Sequence, residues 1–186
     1  MQPQIITIPD KKLVGRRLNM SLSGNRTTEL WQSFMPLRKE IRNKLNADLF
    51  SIQIYDPNLD FRDFTPETEF DKWAAIEVSE YEEIPEGMET LDIPGGLYAV
   101  FDYRGAPDNF APMFHSIFGE WIPASDYEVD KRPHFDVLGE KYKGNAPDSE
   151  EEIWVPVKLK KWSVAVIHSG GDLKSPPEYQ IVVVHI

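Results

Sequence analysis

Hydrophobic and polar positions along this chain switch period several times, and each switch marks an element. Leu30, Phe34, Leu37, Ile41 and Leu45 recur at helical spacing behind the polar cluster 21–28, which predicts an amphipathic helix that kinks or starts late at Pro36. Before it, Lys11–Met20 is mixed and extended. Residues 49–55 alternate as a strand, 56–66 are a turn-rich loop, and 72–78 alternate again. The acidic stretch 79–87 has no basic residue and reads as a linker. Then the order restarts: 97–104 is extended, Phe110, Phe114, Ile117, Phe118 and Trp121 form a second helical stripe closed by Pro123, and 135–142 and 152–157 are strands. The second stripe reads as core, with Asp108 and Asn109 as its caps.

Both halves therefore read β-α-β-β, an α+β pattern. Leu13 and Leu97 lie 84 residues apart, and Trp73 and Trp154 lie 81 apart, nearly constant offsets that point to a duplicated unit. Residues 159–186 fall outside the repeat; their strand-like runs, 162–168 and 179–186, would pair as a hairpin or dock elsewhere.

Strand parity sharpens the picture, because residues two apart share a face and one face of an antiparallel sheet must meet the helices. Taking the apolar face as the helix side puts Ala74, Ile76, Val78, Ile153, Val155 and Val157 inward, together with Ile52, Ile54, Phe135 and Val137. The opposite face then gathers Tyr55, Trp73, Trp154, Asp136 and Glu152. A sheet rarely turns two indoles to water, so this face is either covered by the tail or a groove. Rings beside recessed carboxylates suit a lipophilic cation.

Composition narrows the chemistry. Of 186 residues, 20 are basic and 31 acidic, a net charge of −11 that disfavours direct nucleic-acid binding. The 41% hydrophobic and 12% aromatic content supplies a core. Without cysteine there is no disulfide, thiolate nucleophile or cysteine zinc site. Four histidines lack metal-ligand spacing and no Gly-rich phosphate loop occurs, so no metal and no cofactor are expected. No apolar run has the length of a leader or a membrane span, so the expected location is cytoplasmic, with no membrane partner.

The segments Gly96-Leu-Tyr-Ala-Val-Phe-Asp-Tyr-Arg-Gly105, Phe118-Gly-Glu-Trp-Ile-Pro-Ala-Ser125, Arg132-Pro-His-Phe-Asp136 and Glu152-Ile-Trp-Val-Pro-Val-Lys158 resemble the GyrI-like (gyrase-inhibitor-like) effector-binding domain. That family also supplies the ligand-sensing half of several multidrug-responsive transcription activators. The resemblance implies duplicated β-α-β-β units about a pseudo-two-fold, with a ligand groove between the halves. It places one domain over 1–158, with repeats at about 5–82 and 88–158, and leaves 159–186 as a C-terminal extension. The family's acidic anchor falls on Asp136, a Glu elsewhere and one methylene shorter here; its closing Glu and aromatic fall on Glu152 and Trp154. The ligand-binding residues so expected are Tyr55, Trp73, Tyr98, Asp136, Glu152 and Trp154.

The implied function is that of a stand-alone module that senses or sequesters bulky aromatic, cationic compounds. No helix-turn-helix segment precedes the first repeat, so transcription regulation follows by kinship alone. One alternative is hydrolysis of cyclopropane-containing electrophiles, with Asp136 or Glu152 as general base and Tyr55 or Tyr98 giving a proton. Another is an acidic protein-interaction or gyrase-modulating role through a protein partner.

Overall fold

Alternating apolar positions become a nine-stranded antiparallel sheet in the computed structural model, which describes residues 2–59, 63–106 and 110–160 and the backbone of 163–168 and 179–184. In chain order the elements are β1 (Gln4–Ile8), β2 (Lys11–Met20), α1 (Thr27–Phe34), β3 (Lys44–Ile54), β4 (Phe70–Val78), β5 (Glu89–Ile93), β6 (Gly96–Arg104) and α2 (Ala111–Phe114). They continue through a π-helical stretch (His115–Trp121), α3 (Ile122–Ala124), β7 (Tyr127–Val129), β8 (His134–Leu138) and β9 (Glu150–Leu159). The sheet runs β1-β6-β9-β8-β3-β4-β2-β5, with β7 added to β9. Two further strands, β10 (Ser163–His168) and β11 (Tyr179–Val184), pair with each other antiparallel. Trp162, His185 and Ile186 of the expected tail runs, and the expected caps Asp108 and Asn109, lie outside the described residues.

The first helix is shorter than its stripe. Proline has no N–H to continue an α-helical ladder, and α1 ends at Phe34, just before Pro36, in a 3₁₀ turn over Leu37–Lys39. Asn43 then turns the chain at a φ of 57° and Lys44 opens β3, which leaves Leu45 exposed on a strand rather than buried on a helix. Strands β1, β5 and β7 were not expected; each is five residues or shorter.

The two faces of the sheet are buried in different ways. On one, Ile8, Leu13, Phe50, Ile52, Trp73, Ile93, Tyr98 and Phe135 form a cluster drawn from strands alone. Contacts between residues of β1, β2, β5 and β6 in that cluster show the sheet curling on itself as a half-barrel. On the other face α1 packs Leu30 and Phe34 onto Val14, Ala74, Ile76 and Val78 of β2 and β4. The second helical segment packs Met113 and Ile117 onto Ala99, Phe101, Ile153, Val155 and Val157 of β6 and β9.

The strand order is symmetric in its connections, since β1 edges β6 and β5 edges β2. Trp73 and Trp154 share a face, opposite Ile52 and Phe135 respectively. Leu13 and Leu97 do not, one packing in the strand-only cluster and the other under the second helical segment, so the offset of 84 does not join equivalent positions.

One glycine makes room for a half-buried guanidinium. At Gly96, φ is +147° and a Cβ would stand 2.4 Å from Nη1 of Arg132. The open space lets the Arg132 guanidinium donate to the carbonyls of Leu97 (2.6 Å) and Val157 (3.1 Å), pair with Asp130 (2.6 Å) and lie 4.6 Å from the Tyr98 ring.

Phe135 is the hub of the strand-only core, 1% exposed, with its ring 5.7 Å from Phe50, 5.1 Å from Tyr98 and 5.3 Å from Trp154. Phe135→Ala is expected to cost about 3–5 kcal/mol in urea unfolding; a loss below about 1 kcal/mol would show that this face is not a close-packed core.

Candidate ligand-binding site

Because the two helical segments cover the outer strands, no helix among the described residues packs over the central pair β3 and β8. Its register sets Ser51 opposite Asp136 and Gln53 opposite His134. Together with Tyr55 these side chains floor a cavity of about 290 Å³. Trp31 of α1 borders one side and Phe110, Phe114 and Phe118 the other. The expectation that the whole second stripe is core is therefore corrected. Met113 and Ile117 are buried, while Phe114 is 43% exposed and lines the cavity, 4.6 Å from the Phe118 ring. The π-helical stretch spreads its side chains differently from an α-helix, a feature frequent at functional sites.

Two further charged groups come from the strands that flank the central pair. Lys72 of β4 and Glu151 of β9 each stand two residues before the helix-covered run of their strand, and both line the cavity. The Lys72 ammonium lies 3.9 Å from Asp136 Oδ2, which also accepts the Ser51 hydroxyl at 3.2 Å. With its amide oriented to satisfy both ends, Gln53 accepts from Lys72 and donates to the His134 carbonyl at 3.3 Å.

Burial shifts every group here toward its neutral form. It raises the Asp136 pKa, against the pull of Lys72 and the Ser51 hydroxyl. It lifts Glu151 to about 7, helped by the Asp136 charge. It lowers Lys72, against Asp136 and Glu151, and drops His134 to about 4, so that imidazole is neutral near pH 7. Tyr55 and Tyr142 are raised, again chiefly by burial. A cavity of this kind offers ring faces and carboxylates in a poorly hydrated space, where a cation competes well against water.

The residues expected to share one cleft are divided between the faces. Tyr55 and Asp136 are in the cavity. Trp73 is 4% exposed within the strand-only core, its indole near Arg17, and the Tyr98 ring is buried there with its hydroxyl donating to the Pro133 carbonyl at 3.1 Å. Trp154 borders the cavity along β9, but its ring stacks on Phe135 at an interplanar angle of 17°, on the opposite face. Glu152 shares that face and accepts the Trp154 indole N–H at 3.0 Å. Thus Trp73, Tyr98 and Glu152 do not form a groove with Asp136, and Trp154 meets it only at the border of the cavity.

The physical reason is that β3 and β8 turn their apolar side chains into the curl, not toward the helices. Sequence reading passed over Ser51, Gln53, Lys72, Tyr142 and Glu151. For Lys72 and Glu151 a signal existed, since each continues the parity of its helix-covered neighbours, Ala74 and Ile153. Among the described residues no group of histidines and acids is placed to hold a metal ion, and no helix is long and apolar enough to cross a membrane.

Comparison with known proteins agrees with this architecture. The chain is 26% identical over 159 residues to the transcriptional regulator BrlR of Pseudomonas aeruginosa; the match takes in 84% of this chain and 56% of that protein. The chain thus spans about half the length of its curated relative. Among solved structures it resembles the C-terminal domain of EcmrR, with a TM-score of 0.62, 13% identity and coverage of 86% of this chain and 98% of that one. It also resembles SAV2435 bound to tetraphenylphosphonium, with a TM-score of 0.58, 16% identity and coverage of 85% and 94%. The model of the GyrI-like small molecule binding domain matches residues 1–158, and the chain belongs to that family.

Proposed function

We propose that the cavity over β3 and β8 binds bulky aromatic cations, and that the chain works as a sensor or a sink for such compounds. The observation that carries this reading is the pairing of an aromatic wall with two half-buried carboxylates, Asp136 and Glu151, in a single cavity. Lys72 balances one of them, which leaves Glu151 as the charge available to a ligand. The tetraphenylphosphonium seen on SAV2435, a protein of the same fold, is a compound of the kind this cavity suits. The symmetric strand connections support the further reading that the domain is a duplicated β-α-β-β unit, with the cavity astride the junction.

Glu151 also favours a second reading. A carboxylate that titrates near 7 is matched to general-base work at that pH. Hydrolysis of a strained cyclopropane would begin as Glu151 takes a proton from water, whose oxygen attacks one ring carbon as the carbon–carbon bond breaks and the carbon that keeps its electron pair takes the Tyr55 hydroxyl proton. Turnover that survives Glu151→Gln would remove this reading.

Calorimetric titration of the wild type with tetraphenylphosphonium should show binding that weakens about tenfold in Glu151→Gln, the loss of one charged contact. Trp73→Phe, on the closed face, should leave affinity unchanged. Since only the ionised carboxylate attracts the cation, affinity should fall as pH drops from about 8 to about 6. Equal affinity in wild type and Glu151→Gln would contradict the assignment.

Stability carries the same signature with a definite sign. A folded-state pKa raised to about 7 means that Glu151 favours folding while protonated and opposes it as pH climbs through that value. The buried neutral His134 acts in the opposite sense at acid pH, so the informative quantity is the difference between proteins. Urea unfolding of Glu151→Gln and wild type should move in the variant's favour from about pH 5 to about pH 8. A difference independent of pH would show that Glu151 titrates normally.

A further inference from the structure

Lys72 is the one charged group of the cavity that binding of a simple cation leaves unused. The residue is 7% exposed and lines the cavity. Its ammonium has three N–H donors. Among the described residues Gln53 accepts one, and the nearest oxygen of Asp136 lies at 3.9 Å, beyond hydrogen-bond distance. Two donors of this paired ammonium therefore have no acceptor among the described residues, and an acceptor on a ligand in the cavity would complete the set. The neighbouring carboxyls act on Lys72 as charges and not as hydrogen-bond acceptors: Asp136 balances it at 3.9 Å, and Glu151 acts through space. A ligand with positive charge alone would enter against the Lys72 ammonium and leave its donors open.

We infer that the cavity selects compact zwitterions: aromatic molecules in which a cationic nitrogen faces Glu151 and a nearby anionic oxygen accepts from Lys72. This rests on the reading of the cavity as a site for aromatic cations and adds a second point of recognition to it. Lys72 is then a specificity-determining residue that separates zwitterions from simple cations of the same shape. Selection works by difference, because a neutral or purely cationic analogue fails to satisfy a donor already buried.

Three probes with one ring system separate the possibilities: 1-benzylquinolinium, its 3-carboxylate, and the methyl ester of that carboxylate. All three carry the same permanent cation and differ only in the oxygen offered to Lys72. Calorimetry on the full chain should rank the carboxylate about tenfold tighter than the parent, with the ester between them. In Lys72→Met, a substitution of similar length, the parent should bind at least as well as before and the carboxylate should fall below it. The wild-type ranking needs no variant, so the inference stays exposed even if Lys72→Met unfolds. If the parent binds and the carboxylate binds no better, zwitterion selection is overturned while aromatic-cation binding stands. A carboxylate advantage that persists in Lys72→Met also overturns it. If no probe binds, both readings fall.

Discussion

The antiparallel register of β3 on β8 is the constraint on which everything else hangs. Ile52 opposite Phe135 and Ser51 opposite Asp136 are successive rungs of one ladder, so they face opposite sides of the sheet. A slip of one residue would send Asp136 into the strand-only core and Phe135 into the cavity. The register is held by Phe135, wedged among Phe50, Tyr98 and Trp154, so the packing of one face fixes the chemistry of the other. The cavity exists because two short helical segments each cover an outer pair of strands and leave the central pair open.

The charges in that opening are arranged as a near-balanced set. One ammonium and two carboxyls share a space with few polar partners, and burial pushes each toward neutrality. On the proposed reading, a ligand's positive charge restores the ionised state of Glu151, and so couples binding to proton release. The net charge of −11 adds a field that draws cations toward the domain from solution.

Much of the fold was legible in the sequence, and the site only in part. Parity placed Ala74, Ile76 and Val78, and Ile153, Val155 and Val157, under helices, where they are found. The same rule failed for Ile52, Ile54, Phe135 and Val137, because it allowed the sheet a single apolar core. The curl gives β3 and β8 a second one, on the face away from the helices. Periodicity shows that a face is apolar but not what covers it, and that ambiguity put Trp73 in the wrong company and Trp154 at the border of the site rather than within it. Lys72 and Glu151, by contrast, follow from extending two correctly read strands by one step. Strands β1, β5 and β7 are too short for alternation to stand out, and they take their place from pairing partners distant in sequence.

The most direct test is a crystal of the full chain soaked with tetraphenylarsonium, a heavier likeness of tetraphenylphosphonium, with the arsenic located by anomalous scattering. A single peak between Trp31 and Phe114, over Asp136 and Glu151, is the predicted result. A peak on the curled face beside Trp73 and Trp154, or none in the cavity at saturating soak, would contradict the account.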